Sequence, residues 1–517
     1  MSGTRPARRT AGRRARWQVS EIARPASGMG SGWPAAVRAC TWEGRAGAAS
    51  ALLPASYRRR EPEATVLHRV VRGHLGDLLA EARAGSEDGG GLPRYVEQEL
   101  ERYLDCGILA NGFARVRCTH CGDELLVAFS CKNRGVCPSC TTRRMHATAA
   151  DLVDRVLPEA PYRQWVLTFP LRYRLALARD SALLSAALKI FVGILLGHLR
   201  RAGRSHGVRG LPAAVTFVQR FGGLCNLNVH FHTLVPDGLF VPRADGPPGF
   251  QELPPPTDDE VATLCRRIAA RVERRLAARL PPEELAATDA LLALQAQAAQ
   301  LPLFALAAAD HQPASERGAR RCAACDGFSL HANRRVAAAS RLGLEALCRY
   351  GARPPIALSR LALLPDGSVE YRLKQPLRDG RRALVFPPVA FLARLAALVP
   401  PPRSHLVRYH GALAPRSKAR AALVPLRPKV SAPGQPAPTA GTGHRIPWAD
   451  LLRRVYAVDV LRCPRCGGRR TVLAFITEPA VVEKILIHLG LPAEPPPRSP
   501  ARSPARPPPV DPCWDAP

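Results

Sequence analysis

Two histidines one residue apart, His230 and His232, are the side chains of this 517-residue sequence best spaced for chemistry. They lie in Asn228-Val-His-Phe-His-Thr-Leu-Val-Pro-Asp-Gly238. On a strand, residues two apart project from one face. Both imidazoles can therefore meet one metal ion while Val229, Phe231, Thr233 and Val235 turn to the core. A surface histidine pair is the alternative. A third ligand has to come from a neighbouring strand or helix, with Gln219 and Asp237 as candidates, and a one-residue change of hairpin register turns Gln219 away. Tyr350 closes the run Leu344-Glu-Ala-Leu-Cys-Arg-Tyr350 before Gly351 and Pro354-Pro355. A tyrosine at the basic end of a helix usually packs, so its value depends on the histidines.

The cysteines form a second set. Cys118-Thr-His-Cys121 and Cys137-Pro-Ser-Cys140 are two CxxC pairs at the spacing of a four-thiolate zinc site, because each pair bends two sulfurs toward one tetrahedral ion. Cys131, His120 and Cys106 lie close enough along the chain to replace a ligand or support one, although an ordinary buried thiol is the simpler reading of each. Two further pairs, Cys322/Cys325 and Cys463/Cys466, can jointly make a second zinc site, with His488 as another possible ligand. The rival is simple buried thiols. The surrounding Arg115, Arg117, Lys132, Arg134, Arg143 and Arg144 suit a face turned to DNA.

The elements that must position these residues follow from periodicity. Leu67, Val70, Val71, Leu75, Leu78 and Leu79 recur at helical spacing, and a second helix carries Val96, Leu100, Tyr103 and Leu104. Trp165 to Phe169, Ala214 to Phe221 and Leu227 to Val235 read as strands, the last two joined by a loop at Gly222 to Asn226. A long helix over about 181 to 201 sits between the first and second strands, so the expected class is α+β. The expected organisation is a basic disordered leader at 1–62, a helical zinc-binding DNA-recognition domain at 63–150 and a catalytic domain at 151–396. A basic Pro-rich linker at 397–445, a small CxxC module at 446–491 and a disordered tail at 492–517 follow.

Charge points to the partner. Lys plus Arg number 74 against 42 Asp plus Glu, a formal net charge of +32. Codon bias explains arginine over lysine but not basic over acidic, so a polyanion, DNA first, is the expected partner. The apolar run from Leu183 to Leu199 is broken by Lys189 and His198 and reads as a buried helix, which argues for a soluble protein with no membrane role. Fifteen cysteines, several of them in CxxC pairs, suit metal binding in a reducing cytoplasm.

Taken in order, Cys118 to Cys140, Gln219-Arg-Phe-Gly222 with His230-Phe-His232, Gly327-Phe-Ser-Leu-His331-Ala332, Arg349-Tyr350 with Arg353-Pro-Pro355, Arg408-Tyr-His-Gly411 and Leu461-Arg-Cys-Pro-Arg-Cys466 resemble the rolling-circle transposases of the insertion sequence ninety-one family. The resemblance covers roughly residues 64 to 492. It implies a zinc-binding domain followed by an HUH-endonuclease-like antiparallel-sheet core in a bacterial, nucleoid-associated protein. It also implies an enzyme that nicks and rejoins single-stranded DNA at element ends and target. His230 and His232 would hold Mg²⁺ or Mn²⁺ and Tyr350 would attack phosphorus, while the Cys118, Cys121, Cys137 and Cys140 site would hold structural Zn²⁺. Arg220, Arg349 and Arg353 are candidate DNA contacts. The family prototype is similar to a two-tyrosine enzyme, but here Ala346 and Pro354 stand four residues to either side of Tyr350. A replication initiator or relaxase shares the chemistry, and a noncatalytic zinc-dependent DNA-binding protein is the remaining alternative.

Overall fold

Polar caps set the starts of the two longest helices. Asp180 accepts from the N–H groups of Ala182 and Leu183 at 2.6 and 3.1 Å, which opens a helix over Ser181–Ser205. Thr257 and Glu260 form a reciprocal capping box at the head of Asp258–Ala277. The computed structural model describes residues 57, 59–86, 89–280, 320–377, 379–424, 446–456 and 458–502. The expected leader, apart from its last few residues, and the end of the expected tail lie outside them.

Along the chain, α1 (Val66–Ala84) and α2 (Arg94–Asp105) precede the hairpin β1 (Phe113–Cys118) and β2 (Glu124–Ala128), then α3 (Pro138–Arg155). Strand β3 (Tyr162–Thr168) leads through α4 (Leu171–Arg179) and α5 (Ser181–Ser205) to β4 (Ala213–Phe221) and β5 (Leu227–Pro236). Helix α6 (Asp258–Ala277) is followed by β6 (Cys322–Cys325), β7 (Phe328–His331), the short β8 (Arg335–Val336) and α7 (Arg341–Gly351). Later come β9 (Val407–Gly411), β10 (Arg470–Ile476) and α8 (Pro479–His488).

These elements divide into two units, one from Met1–Glu63, Asp105–Ser130 and Pro447–Pro496, the other from Ala64–Leu104, Cys131–Ile446 and Pro497–Pro517. The second is built on an antiparallel sheet in the order β9-β4-β5-β3-β7-β6, with β8 also paired to β3. β4 and β5 form the expected hairpin, closed at its loop by the Gly222 N–H donating to the Asn226 carbonyl at 3.0 Å. Their register places Val215 opposite Leu234, Phe217 opposite His232 and Gln219 opposite His230. That face is apolar at one end and polar at the other.

Both faces of β5 are buried, not one. On one, Phe231 packs against Phe169 and Phe191 with ring centroids 5.1 and 6.1 Å away. On the other, Val215, Phe217 and Leu234 join Leu152 and Val153 of α3 and Leu344, Leu347 and Cys348 of α7 in one core cluster. The histidines therefore lie beneath a helix and not at an open sheet surface. Helix α5 has the length and composition to cross a membrane, yet more than half of its apolar stretch is buried within the protein. It is a core helix, as the sequence suggested.

Two boundaries differ from expectation. The presumed linker contains β9, which pairs along β4 from Val407 opposite Phe217 to Gly411 opposite Ala213. Five residues in a Pro-rich stretch carry little alternation of their own, and the neighbouring strand fixes them. Residues 425–445 of that linker lie outside the described set. Nor is the C-terminal CxxC segment a module by itself: β10 pairs antiparallel with β1, whose other edge holds β2. Leu109, Phe113 and Leu126 share a small core there with Val482 and Leu486 of α8.

Candidate metal and tyrosine centre

His230 and His232 project from β5 with ring centroids 4.8 Å apart. Tyr350, on the last turn of α7, sets its ring perpendicular to that of His232 at 5.3 Å. Two features of the sequence hold the helix end in place. The Gln219 side-chain amide donates to the carbonyls of Tyr350 and Gly351 at 2.8 and 2.9 Å, satisfying acceptors that a helix C-terminus leaves open. A Cβ at position 351 would come within 2.6 Å of the Phe217 ring, so glycine is what lets α7 reach the sheet. Arg353, just beyond, stacks its guanidinium 4.3 Å from the Tyr350 ring centroid. Tyr350 itself is 37% exposed, open to a substrate.

The ring nitrogens of the two histidines differ in their partners. His230 Nδ1 lies 2.9 Å from the Asn228 carbonyl, an acceptor only, so the proton sits on Nδ1 and the Nε2 lone pair is left free. Gln164 of β3 approaches His232 Nδ1 at 3.1 Å, and which amide atom faces the ring sets the tautomer. His232 Nε2 and the side-chain oxygens of Gln219 and Asn228 are buried with no hydrogen-bond partner. Buried polar atoms without partners are costly, and nitrogen and amide-oxygen atoms of this kind are donors that could hold a cation. Burial, reinforced by the Arg353 and Arg174 charges, pushes the His230 imidazole down to about 4. Burial also holds His232 well below the ordinary range, with the His230 and Arg353 charges adding to the effect. Both rings are neutral at pH 7, the form a metal requires.

The cysteines sort into two groups unlike the expected one. Cys118 and Cys121 meet Cys463 and Cys466, with Sγ–Sγ distances of 3.5 Å for Cys118–Cys466 and 3.6 Å for Cys121–Cys463. All four sulfurs lie within 4.8 Å of one another. A tetrahedral zinc at about 2.3 Å from each sulfur demands about 3.8 Å between sulfurs. Cys137 and Cys140 instead gather with Cys131, and Cys131 Sγ is 3.5 Å from Cys140 Sγ. Both groups are thiolate-rich and suited to structural zinc.

Residues 78–169 match the family model "Transposase zinc-binding domain", and residues 213–421 match the family model "Putative transposase". The chain belongs to the transposases of the insertion sequence ninety-one family. No curated protein and no solved structure matches it. As a member, the transposase acts on DNA and carries a zinc-binding domain. Its second match takes in Gln219, His230, His232 and Tyr350, whereas Cys463 and Cys466 lie beyond both matches.

Several residues expected at the site of the transposase lie elsewhere. Asp237 lies just past the end of β5, which closes at Pro236. Its carboxylate is bound by Arg163 at 2.8 and 2.7 Å and by Arg335 at 3.2 Å. It is a buried ion-pair anchor, not a metal ligand. Arg220, next to Gln219 on β4 and so on the other face of the sheet, is 7% exposed and donates to the Ala178 carbonyl at 2.7 Å. It cannot meet DNA there. Arg349 and Arg353 are partly exposed beside Tyr350. Tyr371 is buried beneath Arg360, and Tyr409 packs into the core under Arg420. Cys322 and Cys325 sit on β6, where His331 Nδ1 approaches Cys322 Sγ at 3.0 Å, and neither belongs to the two four-cysteine groups. Sequence reasoning missed Gln164, Asn228 and Gly351. Asn228 continues the alternation of His230 and His232 and was legible; Gln164 gave no local signal.

Proposed function

We propose that this transposase nicks and rejoins single-stranded DNA, with Tyr350 as nucleophile and a divalent cation, Mg²⁺ or Mn²⁺, held by His230, His232 and Gln219. The observation that carries this reading is the Tyr350 ring perpendicular to that of His232, beside buried His232 Nε2 and Gln219 Oε1 atoms that lack partners. The cation, when bound, would neutralise charge developing on the scissile phosphate. Gln219 holds the end of α7, and with it the nucleophile, to the sheet. Arg353 over the tyrosine ring places a positive charge where phosphate must approach. The Tyr350 oxygen forms a bond to phosphorus while the bond from phosphorus to the 3′ oxygen breaks. The phenolic proton is lost and the 3′ oxygen is protonated, giving a 5′-phosphotyrosine and a 3′ hydroxyl. Reversal by a new 3′ hydroxyl joins strands without ATP.

With Ala346 and Pro354 flanking at four residues, one covalent strand is held per active site. The test is incubation with end-labelled single-stranded oligonucleotides and Mn²⁺, followed by denaturing electrophoresis. Tyr350→Phe should abolish the covalent adduct while keeping DNA binding, whereas Tyr371→Phe and Tyr409→Phe retain the adduct. An adduct mapped by mass spectrometry to any other residue refutes the assignment.

A further inference from the structure

We propose that Cys118, Cys121, Cys463 and Cys466 bind one structural zinc ion that closes the small unit of the transposase, joining segments far apart along the chain. The Cys118 and Cys466 partners are separated by 348 positions and the Cys121 and Cys463 partners by 342. The site stands independently of the catalytic reading.

The two halves are built alike. In the first, the Gly122 N–H donates to the Cys118 carbonyl at 3.1 Å and the Cys118 N–H to the Asp123 carbonyl at 2.8 Å. In the second, the Gly467 N–H donates to the Cys463 carbonyl at 2.9 Å and the Cys463 N–H to the Gly468 carbonyl at 2.8 Å. Gly122 and Gly467 adopt φ of +75° and +72°, a conformation open to glycine. Each half is thus a thiolate knuckle of the same geometry, and two such knuckles face to face satisfy one tetrahedral ion.

The surroundings are fitted to that approach. A Cβ on Gly468 would lie 3.2 Å from Cys466 Sγ and 3.3 Å from Cys118 Sγ, so the backbone closes tightly over the sulfurs. The Gly468 N–H points at Cys466 Sγ at 3.4 Å, as expected of a donor to thiolate. The Thr119 N–H donates to the Arg469 carbonyl at 3.0 Å, and Arg470 ion-pairs with Asp123. Neither half has a core of its own. The hairpin β1–β2 alone is two-stranded, which is marginal in water, and its apolar residues Phe113 and Leu126, with Leu109 just before it, share their core with Val482 and Leu486. The zinc therefore makes the β1–β2 hairpin complete only once residues 447–496 have been synthesised.

The experiment uses the full-length chain and reads metal content and backbone protection. Cys463→Ser and Cys118→Ser should each lower zinc by about one ion per chain, and the double variant should lose no more than either alone. Cys466→His should restore the ion, because a three-thiolate, one-imidazole set also holds zinc. Hydrogen exchange at Phe113–Cys118 should speed up in Cys463→Ser and not in Cys137→Ser. Parent zinc content in Cys463→Ser, loss of a single shared ion by Cys118→Ser and Cys137→Ser, or disulfides at these four positions in thiol titration would each overturn the proposal.

Discussion

Replacing Gln219 separates the two roles the site assigns to it, ligand and clamp. Gln219→Met keeps the side-chain volume but removes both hydrogen bonds to the carbonyls of Tyr350 and Gly351. At about 1 kcal/mol net for each neutral bond, the loss is about 2 kcal/mol, near thirtyfold in the folded-to-unfolded ratio. It also removes the side-chain oxygen, so Mn²⁺ affinity should fall about tenfold or more, since even an outer-shell partner is worth that much. Gln219→Glu differs. One carboxylate oxygen can still ligate, but the other stands where the amide nitrogen was, 2.8 and 2.9 Å from two carbonyl oxygens. That repulsion should shift the end of α7, so Mn²⁺ binding survives while adduct formation slows. Thermal unfolding, Mn²⁺ titration by electron paramagnetic resonance and the covalent-adduct assay read the three quantities. A Gln219→Met protein with parent unfolding temperature and parent Mn²⁺ affinity would refute both roles.

His230→Ala and His232→Ala should each stay folded and lose Mn²⁺ binding together with cleavage; undiminished nicking by the double variant returns the pair to a structural role. Gly351→Ala pushes a methyl to 2.6 Å from the Phe217 ring, so a destabilisation of about 1–3 kcal/mol and a slowed adduct step are expected, measured by urea unfolding and gel shift. Burial brings His230 and His410 down to about 4, the Arg408 charge adding to the effect at His410, while the unfolded chain titrates near the ordinary ~6.5. As pH falls, the unfolded state binds these protons first. In metal-free protein, this stability is therefore complete above about pH 6.5 and is lost toward pH 4, at about 1.4 kcal/mol per pH unit for each histidine. Equal urea midpoints at pH 7 and pH 5 would contradict that.

The sequence by itself determined the local elements and the candidate reactive groups. Alternation from Leu227 to Val235 put His230 and His232 on one face, the loop at Gly222 to Asn226 gave the hairpin, and helical spacing led to Tyr350 just before Gly351. All of these are periodicities of two or 3.6 residues, which a short stretch of chain carries within itself. Tertiary structure decided what those groups meet. Gln219 became a partner of His230 because the β4–β5 register placed them opposite, and Asp237, just past the end of β5, was taken by Arg163 and Arg335. The nearby CxxC pairs looked like one zinc site because linear spacing was the available measure. Cys118 and Cys121 instead found Cys463 and Cys466, because β10 adds to β1 and brings the second knuckle against the first. Strand pairing over such a separation depends on complementary edges and a shared core, and no local pattern at either end records its partner.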